Sequence, residues 1–202
     1  MAYYYRGLDG GAFEQLSAGM IVGCSLLTAR GIPCSGEGDL KNLVAMKLMD
    51  YLGAGGSFTE LYAMDFEDNI ILMGHDGPFH LAIAEGRPML RGLGLYHGKR
   101  GSGVSVEATV KHGPVTITGL TQTRDGRMKL LSAEGWCEPG PVLRIGNTNS
   151  RLRFGEHPFD VATWMNRWAA QGPTHHVALG VGHVGAQVRE FARMRGIESV
   201  EL

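Results

Sequence analysis

The chain has 202 residues, 44% of them hydrophobic, with 19 basic and 20 acidic side chains mixed along it for a formal net charge of −1. That length allows one sizeable core or two small ones, and the balanced charge excludes a nucleic-acid face and an anionic membrane surface, leaving small molecules and other protein chains as partners. Three cysteines without a CxxC pair, no apolar run of membrane-spanning length and no signal-peptide blocks point to reduced thiols and a cytoplasmic location.

The first segment, Met1 to Arg6, carries three consecutive tyrosines and reads as a strand or packed segment with further sequence upstream. Apolar residues then recur at helical spacing from Phe13 to Leu27 (Phe13, Leu16, Met20, Cys24, Leu27), and Gly31 and Pro33 end that helix. Ile32 to Cys34 reads as a short buried strand. A second helix is predicted from Leu40 to Leu52, with Leu40, Val44, Leu48 and Tyr51 on one side and Asp39 as its N-cap.

The middle of the chain changes to short strand-like runs separated by turn signals. The predicted strands are Ser57–Phe66, Ile70–Met73, His80–Ala84, Val104–Lys111, Val115–Thr121, Met128–Ala133 and Val142–Ile145. Mostly antiparallel strands joined by short turns predict a barrel or a sandwich. His97 to Gly103 reads as a basic loop, and Asn147 to Arg151 as a polar run after a strand, suited to sugar hydroxyls or to its own backbone. The end turns helical again: Phe159–Ala170 with Phe159, Ala162, Trp164 and Trp168 as anchors, then strand His176–Leu179, helix Val184–Arg195 and strand Ile197–Val200. The expected fold class is therefore mixed α+β: a helical N-terminal portion, a central antiparallel β-region and a C-terminal strand–helix–strand.

Four residues stand in unusual settings. Glu37 lies between two glycines just before a predicted helix, where burial without a partner is costly; its alternative role is to complement the helix N-terminus. Glu60 alternates with Phe58 and Tyr62 on its strand. His75 ends an apolar strand, and His176 begins a buried one, either as a ligand or as a hydrogen-bonded structural histidine. Adjacent strand residues face opposite ways, so only one of His175 and His176 is expected in a site. Two carboxylates and His176 converging on a divalent metal is the reading adopted. Gly180 to Gly185 matches G-x-G-x-x-G between a strand and a helix. Too few αβ units surround it for a nicotinamide site, so close strand–helix packing is the favoured reading.

These stretches together resemble the C-terminal part of the L-fucose and L-arabinose isomerase superfamily of metal-dependent aldose–ketose isomerases. Gly36-Glu37-Gly38-Asp39-Leu40-Lys41 resembles the family's first metal carboxylate, and Ser57-Phe58-Thr59-Glu60 its second. Trp168 through His176 to Gly182-His183-Val184-Gly185 resembles the closing segment, whose ligand falls at His176. Gly74-His75 resembles a further ligand of the arabinose branch. The resemblance implies that residues 1–56 are part of an α/β central domain and 57–202 a C-terminal domain with a β-barrel. It also implies metal ligation by Glu37, Glu60, His75 and His176, with Glu37 and Glu60 as the acid/base pair of an enediol mechanism. Mixed carboxylate and imidazole ligation suits Mn²⁺ or Mg²⁺. The implied partners are a monosaccharide, N-terminal isomerase domains in cis or from another chain, and further copies in a homo-oligomer. The alternative is a non-catalytic sugar-binding or assembly module derived from such an isomerase.

Overall fold

In this computed structural model residues 1–2, 11–92, 95–96, 99–100, 103–155 and 160–202 are described. The three tyrosines, most of the His97–Gly103 loop and Phe159 lie outside them. Helix α1 covers Ala12–Thr28 and α2 Leu40–Tyr51. There follow β1 (Gly55–Asp65), β2 (Ile70–His75), β3 (Met89–Gly92), β4 (Val104–Glu107), β5 (Gly113–Gln122), β6 (Met128–Glu138) and β7 (Thr148–Phe154). The chain closes with α3 (Val161–Ala170), β8 (His176–Val181), α4 (Gly185–Arg195) and β9 (Glu198–Glu201). The α+β class holds, with helices at both ends and strands in the middle.

Six strands close into an antiparallel barrel in the order β6, β5, β8, β1, β2, β7, with β7 pairing back to β6. Strand β9 adds to β6 in parallel, and β3 pairs with β4 beside the barrel. Alternate residues fill the interior, among them Ile71, Met73, Ile117, Leu131, Leu152, Val177 and Leu179. Trp164 and Trp168 of α3 pack on this cluster, and Trp164 stacks on Phe154 with ring centroids 4.7 Å apart. The opposite strand faces, at Phe58, Leu130 and Ala178, pack against Met46 and Met49 of α2 and Val188 of α4. No helix of the described residues is long and apolar enough to cross a membrane.

Several expectations are corrected. Helix α2 buries Asn42, Ala45, Met46, Leu48 and Met49, whereas Leu40, Val44 and Tyr51 face outward. The physical reason is close approach: a Cβ on Gly56 would lie 2.7 Å from the Met46 carbonyl oxygen, and one on Gly180 would lie 2.5 Å from Met49 Cε. These two glycines admit the Met46–Met49 face to the barrel wall. Likewise α1 buries Ala18, Ile21 and Cys24 alongside Ser17 and Ser25, not Phe13 and Leu16. The serines satisfy themselves on the helix, donating to the carbonyls of Phe13 and Ile21, so burial costs them little.

Ile32–Cys34 forms no strand; Ser35 alone bridges to Ala2. Pro33 has no N–H to give to a ladder. His80–Ala84 holds a 3₁₀ turn at Leu81–Ile83, and His80 is buried. Val142–Ile145 is irregular and exposed. The strand comes next, at Thr148–Phe154, beginning within the polar run Asn147–Arg151. In α3 Val161 is an anchor with Trp164 and Trp168, and Ala162 is exposed. Of the glycine run, Gly180 and Gly185 serve close packing: a Cβ on Gly185 would lie 2.8 Å from Glu201 and 2.9 Å from Glu134, whereas Gly182 takes a φ of 86° with nothing within 4 Å of such a Cβ. Strand β8 runs antiparallel to both its neighbours, so the parallel crevice of a dinucleotide site does not form beside it.

Candidate active site

Glu37 and Gly38 take consecutive left-handed conformations, with φ of 57° and 68°. A glutamate pays for that conformation in strain, a feature concentrated at functional sites. The turn is closed by the Asp39 N–H donating to the Gly36 carbonyl at 3.1 Å. Asp39 caps α2, as expected, by accepting from the Asn42 N–H at 2.8 Å. Its other oxygen lies 3.0 Å from His176 Nδ1. That contact makes Nδ1 the donor and leaves the Nε2 lone pair directed at Glu37 Oε2, 3.6 Å away. His176 Nε2 is buried and has no hydrogen-bond partner.

His75 sits at the end of β2, its backbone locked by Thr148. The Thr148 hydroxyl accepts from the His75 N–H at 2.9 Å and donates to the His75 carbonyl at 2.7 Å. The Nε2 atom lies 3.6 Å from Glu37 Oε1 and 3.8 Å from Glu60 Oε1, and Nδ1 lies 3.1 Å from Asp76 Oδ1. The Gly77 N–H also approaches Nδ1, at 2.8 Å. Burial opposes a charge on His75, but Asp76, Glu37 and Glu60 outweigh it and lift the pKa from 6.5 to about 9. The same contact with His75, against the cost of burial and aided by His176, holds Glu37 down at about 2. Asp39 is lowered too: burial works against this, and His176 and the Asn42 amide overcome it.

Beneath both imidazoles lies Phe58, fully buried, with centroids 4.2 Å from His75 and 4.4 Å from His176. It fixes the two rings 5.1 Å apart. Glu60, on the same strand face, receives His175 at 2.6 Å through its other oxygen, and that histidine is 70% exposed. Tyr62 follows on this face, and its hydroxyl is pushed above the usual range by burial, Asp76 and Glu60.

All four predicted residues thus come together. The donor atoms of Glu37, His75 and His176 lie within 4.8 Å of one another, as do those of Glu60, His175 and His176. The two groups overlap at His176, and the carboxylate and imidazole donors of either fit an oxygen- and nitrogen-liganded divalent ion. Sequence reasoning missed Asp39 as the partner of His176, and missed Asp76, Tyr62 and His175. Proximity to Glu37 and His75 in the chain was the available signal for the two aspartates. The alternation rule, which admits only one of the two histidines to a site, does not govern His175, because β8 begins at His176.

The family model for the L-arabinose isomerase C-terminal domain matches residues 55–198. The L-arabinose isomerase of Acidothermus cellulolyticus is 30% identical over 200 residues, covering 95% of this chain and 38% of that protein. Those of Nocardioides sp. and Bacillus licheniformis are 29% and 26% identical, each over 86% of this chain and 36% of their own length. The chain therefore spans well under half the length of these relatives and corresponds to their C-terminal part. Matched by the family model over residues 55–198 and 30% identical to a relative over 95% of its own length, the chain belongs to the L-arabinose isomerase family.

Proposed function

We propose that this chain supplies the metal-binding and proton-transferring part of an aldose–ketose isomerase acting on an aldose such as L-arabinose. The observation that carries the reading is His176 Nε2: a buried lone pair without a hydrogen-bond donor, aimed at the point where Glu37 and His75 also converge. An uncompensated buried acceptor is costly, and a cation at that point compensates it. Glu37, Glu60, His75 and His176 would hold Mn²⁺ or Mg²⁺. Such an ion would polarise the sugar's neighbouring carbonyl and hydroxyl oxygens and ease loss of the proton on the hydroxyl-bearing carbon next to the carbonyl.

The rest falls to the chain's own groups. Glu37 stays anionic because His75 stabilises its carboxylate. Glu60, whose other oxygen contacts His175, would take the proton from C2 and return it to C1 while the hydroxyl proton on O2 passes to O1. Asp39 and Phe58 keep the His176 ring in the ligating orientation. The remainder of the sugar pocket would come from N-terminal isomerase domains in the same or another chain.

The test is the manganese content and calorimetric Mn²⁺ affinity of the purified chain, against Glu37→Gln and His176→Ala. Each substitution is expected to weaken binding at least tenfold, on the order of what losing one ligand costs. Unchanged binding in both sinks the site. Tight Mn²⁺ binding with no isomerisation of L-arabinose or other aldoses, even after the upstream domains of a relative are joined to the chain, favours the non-catalytic module.

A further inference from the structure

The two overlapping sets of donors, Glu37 with His75 and His176 and Glu60 with His175 and His176, differ in access. The side chains of His75 and His176 are 5% and 4% exposed, whereas that of His175 is 70% exposed. A dissolved divalent ion carries a shell of water, which it exchanges for protein ligands as it enters. The inner set offers no imidazole that solvent reaches freely, and Phe58 closes the site beneath both of its rings. The outer set offers His175, whose Nε2 already lies 2.6 Å from Glu60 Oε2.

Two residues serve both sets. Glu60 turns one oxygen each way: Oε1 lies 3.8 Å from His75 Nε2, and Oε2 faces His175. His176 is common to the two sets but has a single lone pair to give, because its Nδ1 is the donor to Asp39 at 3.0 Å. The sets are therefore successive positions for one ion rather than sites for two. We infer that His175 is the entry ligand of the metal centre: with Glu60 and His176 it takes a divalent cation from solvent, passes it inward to Glu37 and His75, and then lets it go. Between the two positions the cation stays held by Glu60 and His176, so no step leaves it bare in a buried pocket, where an uncompensated charge is costly. The inference rests on the metal-binding reading above and adds a route to it. Microscopic reversibility fixes its signature. A residue that holds the cation on the way in but not at rest also holds it on the way out, so it speeds binding and release alike and leaves the equilibrium constant unchanged. A ligand of the resting ion, or a residue that only orients Glu60, changes the equilibrium constant instead.

The experiment is stopped-flow mixing of the purified, metal-free chain with Mn²⁺ in the presence of a competing fluorescent chelator, which gives the association rate, and a chase of the loaded chain with EDTA, which gives the dissociation rate. Two variants are compared with the unaltered chain: His175→Ala, and His175→Gln, which keeps a hydrogen-bond donor for Glu60 but is a poor ligand. Both are expected to slow association and dissociation together by about tenfold, the lower end of what one partner of a metal site contributes, with Kd little changed. Unchanged rates in both variants overturn the inference. So does a Kd that weakens through faster release, which makes His175 a ligand of the resting ion. Normal rates in His175→Gln beside slow ones in His175→Ala overturn it too, because His175 then acts only by hydrogen bonding to Glu60. The failure of the underlying reading looks different: an unaltered chain that binds no Mn²⁺ sinks the metal site itself, whereas intact binding with unchanged rates in the variants sinks the route alone.

Discussion

His75 illustrates how three carboxylates can reverse the effect of burial. Its pKa of about 9 lies above the ordinary 6.5, so the proton is bound more tightly in the folded chain. The resulting stabilisation of the metal-free protein is fully present below about pH 6.5 and is lost as pH rises through about 9. That same proton occupies the nitrogen a metal needs. Below pH 9, Mn²⁺ affinity should therefore rise about tenfold per pH unit, with about one proton released per ion bound. Calorimetry in buffers of different ionisation enthalpy reads the proton count directly. Asp76→Asn should flatten the profile by removing one of the groups that raise the pKa. A flat profile in the unaltered chain would mean that His75 is not a ligand.

At the scale of elements, β7 is the strand hydrophobic periodicity could not see. Its run Thr148-Asn149-Ser150-Arg151-Leu152-Arg153-Phe154 is mostly polar, yet nearly all of it is buried. The polar groups are spent on partners from distant segments. Thr148 holds His75, Ser150 accepts from the Val110 N–H, and Arg151 reaches Asp68 and the Pro141 carbonyl. None of those pairings has a local signature, so the strand reads as a loop until the barrel exists around it. What admits it is a glycine in each neighbouring strand. A Cβ on Gly74 would lie 1.8 Å from the Thr148 carbonyl oxygen, and one on Gly135 would lie 2.0 Å from that of Arg153. Both contacts are with backbone, which cannot swing aside as a side chain can. Gly74→Ala should accordingly cost about 3 kcal/mol or more, at the upper end of overpacking effects, and should disturb His75 through Thr148. Gly23→Ala, on the exposed side of α1 with nothing within 4 Å, should instead stabilise by up to about 1 kcal/mol. Urea denaturation of the two variants checks both signs; a neutral Gly74→Ala would show that β2 and β7 can separate without consequence.

For the whole molecule, the candidate site is a cross-link between parts that are distant in sequence. Glu37 precedes α2, Glu60 and His75 lie on β1 and β2, and His176 opens β8. These four were legible because each stands at a conspicuous place: a glycine-flanked turn, a strand face shared with aromatics, or a strand end. The hold of Asp39 on His176 and that of His175 on Glu60 were not, because those contacts exist only after the barrel closes. An ion held by these four residues would tie the α2 turn to three barrel strands and would bind only the folded chain. Mn²⁺ at about a hundredfold over its Kd should therefore add about 2.7 kcal/mol, which for a chain of this size raises Tm by about 5–10 °C. Glu37→Gln and His176→Ala should each abolish most of that rise. Combined, they should remove little more than either alone, because the ligands act on one ion rather than independently. Scanning calorimetry with and without Mn²⁺ decides it. A rise that survives both substitutions would place the ion elsewhere, and two losses that simply add would mean that Glu37 and His176 do not share it.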